Sequence, residues 1–260
     1  MSQTHRELEL MEALRRLGGS ARNTDLAKAL DVSEETVRRT IKALSKTSMV
    51  ARVRGGAYLV GTQNDPSFFR RITQRPAEKR QIAQAVSALI SDGMTLFLDV
   101  GSTTAFVAED LRARRNLTVA TNSIGVAQTL VNVNGNRVHL LGGEMQADER
   151  GTFGHVTHRQ AQRLVYDMAL FSSDAVSARK GFLYQSGAEA ELAQVVAEVA
   201  EQVLVAFDHG KCAETAPYIG PDPRHVTRVV TDKPPAKPLA KALTGWGIDT
   251  LVAEPTTREV

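Results

Sequence analysis

Residues 25–60 read DLAKALDVSEETVRRTIKALSKTSMVARVRGGAYLV, and this stretch decides the fold of the amino-terminal part of the chain. Ser33 can cap a helix by accepting a hydrogen bond from its first turn, where Glu34 and Glu35 suit the helix dipole. An apolar stripe then recurs at positions i, i+4 and i+7, namely Val37, Ile41 and Leu44. The spacing predicts a helix that buries this stripe and presents its basic residues to solvent or to a partner.

A β-hairpin is predicted directly after this helix. Two short β-prone runs, 50–53 and 57–60, flank a pair of glycines. Gly55 and Gly56 can supply the positive φ angles that a tight hairpin turn needs. Two more helices are predicted upstream, where apolar residues recur at helical spacing. Three helices followed by a hairpin are typical of a winged helix-turn-helix, which we place at residues 1–61.

From residue 76 onward the sequence pattern changes, and residues 62–75 read as a linker. Apolar, strand-like runs now alternate with amphipathic, helix-like runs. The predicted strands are 94–99, 117–121, 137–142, 167–172, 202–207, 227–232 and 248–253. This alternation predicts a Rossmann-like α/β domain over residues 76–260, with a largely parallel sheet.

Charge is distributed unevenly along the chain. Residues 1–75 hold fourteen Lys and Arg against eight Asp and Glu, a net charge of +6. The remaining residues have a net charge of −3, which gives the whole chain its net charge of +3. A basic module of this kind suits a polyanion such as double-stranded DNA. Chance clustering of basic residues on a solvated surface is the alternative.

Composition excludes several other classes of protein. No run approaches the roughly 18 apolar residues that cross a bilayer, and the first residues lack the apolar core of a secretory signal. The single cysteine, Cys212, excludes a disulfide framework and a multi-cysteine zinc site. His155 and His158 lack a nearby acidic partner in sequence, so we expect no metal, and no cofactor is expected. We expect a cytoplasmic protein with no membrane partner.

The basic face of the capped helix is the predicted DNA-reading surface. Residues near the amino-terminal half of such a helix reach base edges in the major groove, and the hairpin can contact phosphates or the minor groove. The candidate DNA contacts are Ser33, Glu34, Thr36, Arg38, Arg39, Thr40 and Lys42 on the helix, with Arg52, Arg54, Gly55 and Gly56 on the hairpin. The alternatives are a solvated basic face and a winged helix that docks a protein.

Polar residues cluster after the predicted strands of the second domain. Ligands of open α/β sheets bind beyond the carboxyl ends of the strands, and a Gly/Ser/Thr turn into a helix can cradle a phosphate. The candidate effector contacts are Asp99, Gly101, Ser102, Thr103, Thr104, Thr121, Asn122, Gly142, Gly143, Asp208 and Lys211. They predict a site for a phosphorylated sugar or polyol. Alternatively, Asn122 and Asp208 only cap helices and Lys211 lies on the surface.

Both parts of the chain resemble the DeoR family of transcriptional regulators. In the first part the matching residues are Val32-Ser33, Thr36, Arg38-Arg39, Arg52 and Gly55-Gly56-Ala57. In the second part, over residues 76–253, they are Glu78-Lys79, Asp99-x-Gly101-Ser102-Thr103, Thr121-Asn122-Ser123, Leu141-Gly142-Gly143, Gly154, Asp208 to Lys211 and Thr231-Asp232. The chain departs from the family pattern at Thr40, where an aspartate is usual.

This resemblance implies a repressor of carbohydrate or polyol metabolism genes, controlled by a phosphorylated sugar or related metabolite. It also implies a sensor fold similar to that of ribose-5-phosphate isomerase and coenzyme A transferases. The implied effector contacts are Asp99, the 101–104 loop, Asn122 and Lys211. Because an operator with two half-sites is read by paired helices, we expect a homo-oligomer, a dimer or tetramer.

The alternative is an enzyme, an aldose–ketose phosphate isomerase with a regulatory DNA-binding domain. Isomerisation needs a base beside the carbon that loses its proton and a group that polarises the carbonyl. The candidate bases are Asp99, Glu189 and Asp208. Lys211 would be the electrophile.

Overall fold

A computed structural model of the chain describes residues 5–16, 20–46, 50–53, 55–59, 68–146 and 149–254. The chain divides into two compact units, Met1–Gln74 and Arg75–Val260. The predicted linker overlaps residues 60–67, which lie outside the described ranges, so the predicted domain limits stay a prediction. None of the helices in the described part is long and apolar enough to cross a membrane.

The first unit contains three helices packed around one core, a small antiparallel sheet and a short fourth helix. Its elements are α1 (His5–Arg16), β1 (Ser20–Arg22), α2 (Asn23–Leu30), α3 (Glu34–Lys46), β2 (Val50–Val53), β3 (Gly56–Leu59) and α4 (Phe68–Thr73). Leu10, Leu14 and Leu26 from α1 and α2 pack with the apolar stripe of α3 in one buried core. The strand order is β1-β3-β2. The predicted winged helix-turn-helix is confirmed.

The two glycines of the hairpin have different roles. Gly55 has a φ of 81°, as the turn requires. Gly56 has no positive φ; it lies in β3 opposite Arg22 of β1, where a Cβ would overlap the carbonyl oxygen of Ala21. The expectation that both glycines serve the turn is therefore wrong. Gly56 instead lets a third strand approach, and the sequence did not predict that strand.

The second unit is an α/β domain. Its α-helices are α5 (Pro76–Ala88), α6 (Ser102–Asp110), α7 (Ile124–Leu130), α8 (His155–Ala161), α9 (Gly187–Ala197) and α10 (Lys237–Gly245). Two short 3-10 helices lie at Leu111–Ala113 and Pro223–His225, and the 3-10 helix that contributes to the candidate site is His209–Ala213. Its strands are β4 (Thr95–Leu98), β5 (Thr118–Thr121), β6 (Arg137–Leu140), β7 (Glu144–Gln146), β8 (Gly151–Phe153), β9 (Met168–Ser172), β10 (Ala175–Ser177), β11 (Gly181–Tyr184), β12 (Val203–Phe207), β13 (Tyr218–Ile219), β14 (Arg228–Thr231) and β15 (Asp249–Val252).

Seven of these strands form one sheet in the order β15-β14-β12-β9-β4-β5-β6, and all six pairings are parallel. They are the seven predicted strands, each within two residues of its predicted limits. The predicted α/β fold with a largely parallel sheet is confirmed. The sheet order places β4 between β5 and β9 near the centre. Residues 101–104, the candidate phosphate loop, follow this strand.

Alternate strand residues feed two separate apolar clusters, one on each face of the sheet. In β4, Leu96 and Leu98 pack with buried residues of α5, α6 and α7, whereas Phe97 packs with residues of α8, α9 and α10. Helices therefore cover both faces, as near-continuous apolar strands require. The loops at the ends of the strands are therefore the expected place for a ligand site.

Two short antiparallel sheets were not predicted: the β7-β8 hairpin and the sheet β10-β11-β13. Their strands are two to four residues long, too short to show a clear period. The second of them matters for the site, because Tyr184 at the end of β11 lies beside the carboxyl end of β4.

Candidate functional site

Helix α3, the predicted DNA-reading helix, presents its cations to solvent as predicted. Arg38, Arg39 and Lys42 of α3 are exposed, and the apolar stripe is buried. Arg38 forms ion pairs with Glu34 at 3.3 Å and Glu35 at 3.5 Å. For Arg39 and Lys42 no such pair exists within the described ranges. Arg39 is therefore the arginine of this face that is free to meet a base edge or a phosphate.

Three of the predicted hydroxyl contacts on α3 are engaged within the helix. The backbone N–H of Thr36 donates to Ser33 Oγ at 3.2 Å, and the two hydroxyls of this pair lie 2.9 Å apart. The Thr40 hydroxyl donates to the carbonyl oxygen of Thr36 at 3.0 Å. These residues build the first turns of the helix, so a DNA contact by them would have to be shared with these bonds.

The β2-β3 hairpin, which is the wing of the winged helix-turn-helix, presents fewer accessible residues than predicted. Arg52 of β2 and Gly55 at the tip are exposed. Gly56 is buried where β3 pairs with β1, so it is not placed to contact DNA directly. Arg54 lies outside the described residues.

A small pocket lies at the carboxyl ends of β4 and β5. Its volume is about 10 Å³, close to what one water molecule needs. It is lined by Phe97, Asp99, Val100, Asn122, Phe153, Phe171, Tyr184, Glu189, Leu192 and Ala193. Asp99 and Asn122 are the predicted effector residues among them. The isomerase hypothesis had named Glu189, whereas Tyr184 had not been singled out.

Asp99 holds the candidate phosphate loop against β9. One carboxylate oxygen accepts hydrogen bonds from Gly101 N at 2.9 Å and from the Thr104 hydroxyl, and the other accepts from Ser172 N at 2.7 Å. Burial raises the pKa of Asp99 to about 6, although these hydrogen bonds lower it. The carboxylate is thus largely satisfied by the protein and positions the loop.

The loop that Asp99 holds runs into α6. Gly101 precedes the helix, and Ser102, Thr103 and Thr104 occupy its first turn. Among the described residues, none accepts a hydrogen bond from the N–H groups of these three. A helix start with free N–H groups attracts anions. Gly101 is required by packing, because a Cβ there would overlap Ser172 Oγ and lie 2.6 Å from Ser172 Cβ.

Other predicted effector residues have internal partners. The Thr121 hydroxyl donates to Leu98 O at 2.6 Å and accepts from Ser123 N at 3.0 Å. Gly142 O accepts a hydrogen bond from the Thr157 hydroxyl at 2.7 Å, and a Cβ at Gly143 would lie 2.5 Å from Phe153 O. These three residues shape the loops and do not line the pocket.

Asp208 and Lys211 follow β12 at the same edge of the sheet. Asp208 accepts from Gly210 N at 3.0 Å and forms an ion pair with Arg75 at 3.4 Å. Lys211 Nζ lies 4.0 Å from a carboxylate oxygen of Asp174, which follows β9. Asp208 therefore caps the 3-10 helix, the alternative left open by the sequence, while Lys211 adds a cation to this edge.

One cluster in the described part of the chain has metal-ligand residue types, with Glu78, His209 and Asp232 within 4.8 Å of one another. His209 Nδ1 already lies 2.6 Å from Asp232 Oδ2, and Lys233 Nζ lies 3.4 Å from His209 Nε2. An ammonium group beside the second ring nitrogen disfavours a cation there. The cluster instead ties the 3-10 helix to the end of β14.

The two units match known family models. Residues 6–63 match the DeoR-like helix-turn-helix domain, and residues 74–233 match the DeoR C terminal sensor domain. The chain belongs to the DeoR family. It is therefore a DNA-binding transcriptional regulator, and family membership decides against the isomerase alternative.

Curated relatives of this DeoR-family regulator match it over most of its length. The glycerol-3-phosphate regulon repressor of Escherichia coli (strain K12) is 29% identical over 245 residues, 94% of this chain and 96% of the relative. The HTH-type transcriptional repressor CsqR of the same strain is 30% identical over 231 residues, 88% of each chain. The solved ribose 5-phosphate isomerase A of Methanocaldococcus jannaschii has a TM-score of 0.39 and 18% identity, over 52% of this chain and 53% of that chain.

The titration of Asp99 gives a testable pH dependence of the DeoR-family sensor unit. Below about pH 4, Asp99 is protonated in both the folded and the unfolded chain. Between about pH 4 and 6 only the folded chain keeps this proton, so raising the pH favours unfolding. Above pH 6 both forms have lost the proton, and the free energy of unfolding has fallen by the full contribution of this group. The expected loss of unfolding free energy from this group is roughly 1–3 kcal/mol.

The measurement is denaturant unfolding of wild type and Asp99→Asn at pH 4 and pH 7, followed by the fluorescence of Trp246 in the second unit. Trp246 is the single tryptophan and packs partly buried on the core there. As the pH rises from 4 to 7, the free energy of unfolding of the wild type should fall relative to that of Asp99→Asn. A difference that is the same at both pH values would contradict the raised pKa.

Proposed function

We propose that this chain is a repressor that a small phosphorylated polyol or sugar releases from operator DNA by binding in the sensor unit. The observation that carries the effector half is a pair of buried polar atoms at the pocket. Asn122 Oδ1 and Tyr184 Oη have no hydrogen-bond partner in the described part of the chain. Buried polar atoms without partners are costly, so a ligand that satisfies them is favoured.

A phosphate would find its donors beside this pocket. The free N–H groups at the start of α6 and the cation of Lys211 lie at the same edge of the sheet, where Asp99 fixes the loop. The hydroxyl-bearing part of the ligand would then face Asn122 and Tyr184. The names of the curated relatives, among them a glycerol-3-phosphate regulon repressor, support the same class of ligand.

The DNA half of the proposal rests on α3. A dimer or tetramer, acting in the cytoplasm, would place two copies of this helix at half-sites about 34 Å apart on an operator. Effector binding would shift the population away from that paired arrangement, which couples the two ligands through their differential affinity. A homo-oligomer is therefore part of the proposal.

The test combines two measurements on the full chain. Operator fragments are first selected from random duplex DNA. The chain is then screened for thermal stabilisation by sn-glycerol 3-phosphate, ribose 5-phosphate, glucosamine 6-phosphate and their unphosphorylated parents. We expect one phosphorylated compound to raise the melting temperature and to weaken operator binding at least tenfold, because a ligand stabilises the state it binds.

Stabilisation by an unphosphorylated parent as strong as that by its phosphate would contradict the anion site. A folded, DNA-binding protein that responds to none of the compounds would overturn the effector half of the proposal. Analytical ultracentrifugation at the concentrations that bind operator tests the oligomer, and a monomer on the operator would contradict it.

A further inference from the structure

We propose that Asn122 and Tyr184 form the floor of the sensor pocket, that this floor receives an uncharged hydroxyl group of the effector and rejects a carboxylate, and that Tyr184 determines this specificity. The inference rests on the proposed function, because it concerns the end of the effector that lies away from the phosphate. It adds the specificity at that end: an alcohol is accepted, a carboxylate of the same length is rejected, and Tyr184 makes the distinction.

The floor offers one fixed acceptor and one hydroxyl. Asn122 is 1% exposed, and its Nδ2 donates to Thr152 O at 3.1 Å, which leaves Oδ1 as an acceptor without a partner in the described residues. Tyr184 is 2% exposed, and its Oη also has no described partner. A ligand hydroxyl matches both, since it donates to Asn122 Oδ1 and accepts from Tyr184 Oη.

The charges around the floor disfavour an anion. Asp99 and Glu189 line the same pocket, and none of the ten lining residues is a cation. Burial first, and then the negative charges of Asp99, Glu189 and Asp174, raise the pKa of Tyr184 well above its ordinary value. The phenol therefore keeps its proton. The negative charges that keep the phenol protonated would also repel a carboxylate of the ligand.

The size of the pocket points the same way. A volume of about 10 Å³ accommodates one oxygen of water size, which a hydroxyl supplies. A carboxylate brings two oxygens and a charge. A carbonyl could accept from Tyr184 but would leave Asn122 Oδ1 unsatisfied, and sites built to hydrogen-bond a hydroxyl discriminate strongly against analogues that lack it.

The experiment compares phosphates that differ only at the far end. The first pair of probes is sn-glycerol 3-phosphate and L-3-phosphoglycerate, which have the same configuration at C2. The second pair is D-erythritol 4-phosphate and 4-phospho-D-erythronate. Propane-1,2-diol 1-phosphate of the same C2 configuration is the analogue of sn-glycerol 3-phosphate that lacks the terminal hydroxyl. Calorimetry on the full chain should show the alcohol of the better-fitting pair binding at least tenfold more tightly than its carboxylate partner.

Tyr184→Phe is the test variant, and Tyr166→Phe is its control. Tyr166 is equally buried, but its hydroxyl donates to Ala161 O at 2.7 Å. Tyr166→Phe should lower the melting temperature and leave the preference for the alcohol intact. Tyr184→Phe removes a hydroxyl without a described partner, so it should not lower the melting temperature. It should weaken binding of the alcohol about tenfold and leave the analogue without the hydroxyl unaffected.

The outcomes separate this inference from the proposed function. If alcohol and carboxylate bind equally well, or if Tyr184→Phe weakens all probes alike, the floor is not a hydroxyl site, although the phosphate-binding sensor stands. If no phosphate binds the folded wild-type chain, the inference falls together with the proposed function.

Discussion

Replacing Arg39 with alanine is expected to weaken specific operator binding about 10- to 100-fold and to leave the thermal stability of the chain unchanged. Arg39 is exposed on α3 and has no ion-pair partner in the described residues of the first unit. A guanidinium group that donates two hydrogen bonds to guanine contributes about 1–3 kcal/mol of discrimination between bases. Because the side chain makes no such internal contact, its removal affects only the DNA complex.

Arg38 provides an informative comparison on the same helix. Its guanidinium already pairs with Glu34 and Glu35, so Arg38→Ala would present two unpaired carboxylates to the DNA backbone. We expect this variant to weaken binding to operator and random DNA by similar factors. Arg39→Ala should instead relax the preference at one base pair, as expected for direct readout.

The measurement is fluorescence anisotropy with operator, single-base variants and random duplex, each at several salt concentrations. Arg6→Ala on α1 is the control, because it removes one positive charge from the same unit, at a side chain paired with Glu9. A uniform loss of affinity across all sequences for Arg39→Ala, with a shallower salt dependence, would assign Arg39 to a phosphate and contradict base readout.

Sequence reasoning located the elements whose signal is long or chemically specific. The five inner strands of the parallel sheet are mostly buried, so they show as near-continuous apolar runs, which are typical of a sheet covered on both faces. The edge strands β6 and β15 are more exposed. The start of α3 could be predicted equally well, because Ser33 is a good helix cap and the two glutamates after it suit the positive end of the helix dipole.

The candidate site was only partly predictable. Strand order brings Asp99 and Asn122 together, as the carboxyl ends of neighbouring parallel strands predict. Tyr184 comes from a four-residue strand in a small separate sheet, where no periodicity marks it. The sequence predicts that Gly142 and Gly143 contact the ligand. Packing requires glycine at Gly143, where a Cβ would overlap the Thr157 hydroxyl of α8 and lie 2.5 Å from Phe153 O, whereas at Gly142 a Cβ would make only an ordinary contact with Gln160. A glycine permits another group to approach the backbone closely, but the sequence does not show whether that group is a ligand or a part of the protein.

The second large effect is expected at Gly101. Gly101→Ala should abolish the effector response and lower the unfolding free energy of the sensor unit by about 1–3 kcal/mol, the usual range for overpacking. The backbone there has a φ of −62° and a ψ of 149°, which any residue adopts, so the effect comes from contact alone. The new Cβ would lie 2.6 Å from Ser172 Cβ and 3.0 Å from Asp99 Oδ1.

Gly125→Ala in α7 is the matched control for the same change. A Cβ there meets only the Ser123 hydroxyl at 3.7 Å, an ordinary contact, and alanine favours a helix over glycine by up to about 1 kcal/mol. We therefore expect Gly125→Ala to bind effector as wild type does and to unfold at an equal or higher temperature. Calorimetry with the phosphate identified by the screen, together with thermal unfolding, compares the two.

Rescue by a second substitution distinguishes a steric clash from any other cause. Ser172 contributes both the colliding side chain and a backbone N–H that donates to Asp99, so Ser172→Gly clears the space and keeps that hydrogen bond. The double variant Gly101→Ala/Ser172→Gly should regain most of the effector affinity that Gly101→Ala loses, giving a strongly non-additive double-mutant cycle. If the losses of effector affinity in the two single variants add up in the double variant, the new Cβ does not collide with Ser172. Gly101→Ala would then weaken binding at the N–H groups of the loop for a reason other than this clash. If Gly101→Ala alone binds the effector as wild type does, the phosphate does not bind at the start of α6.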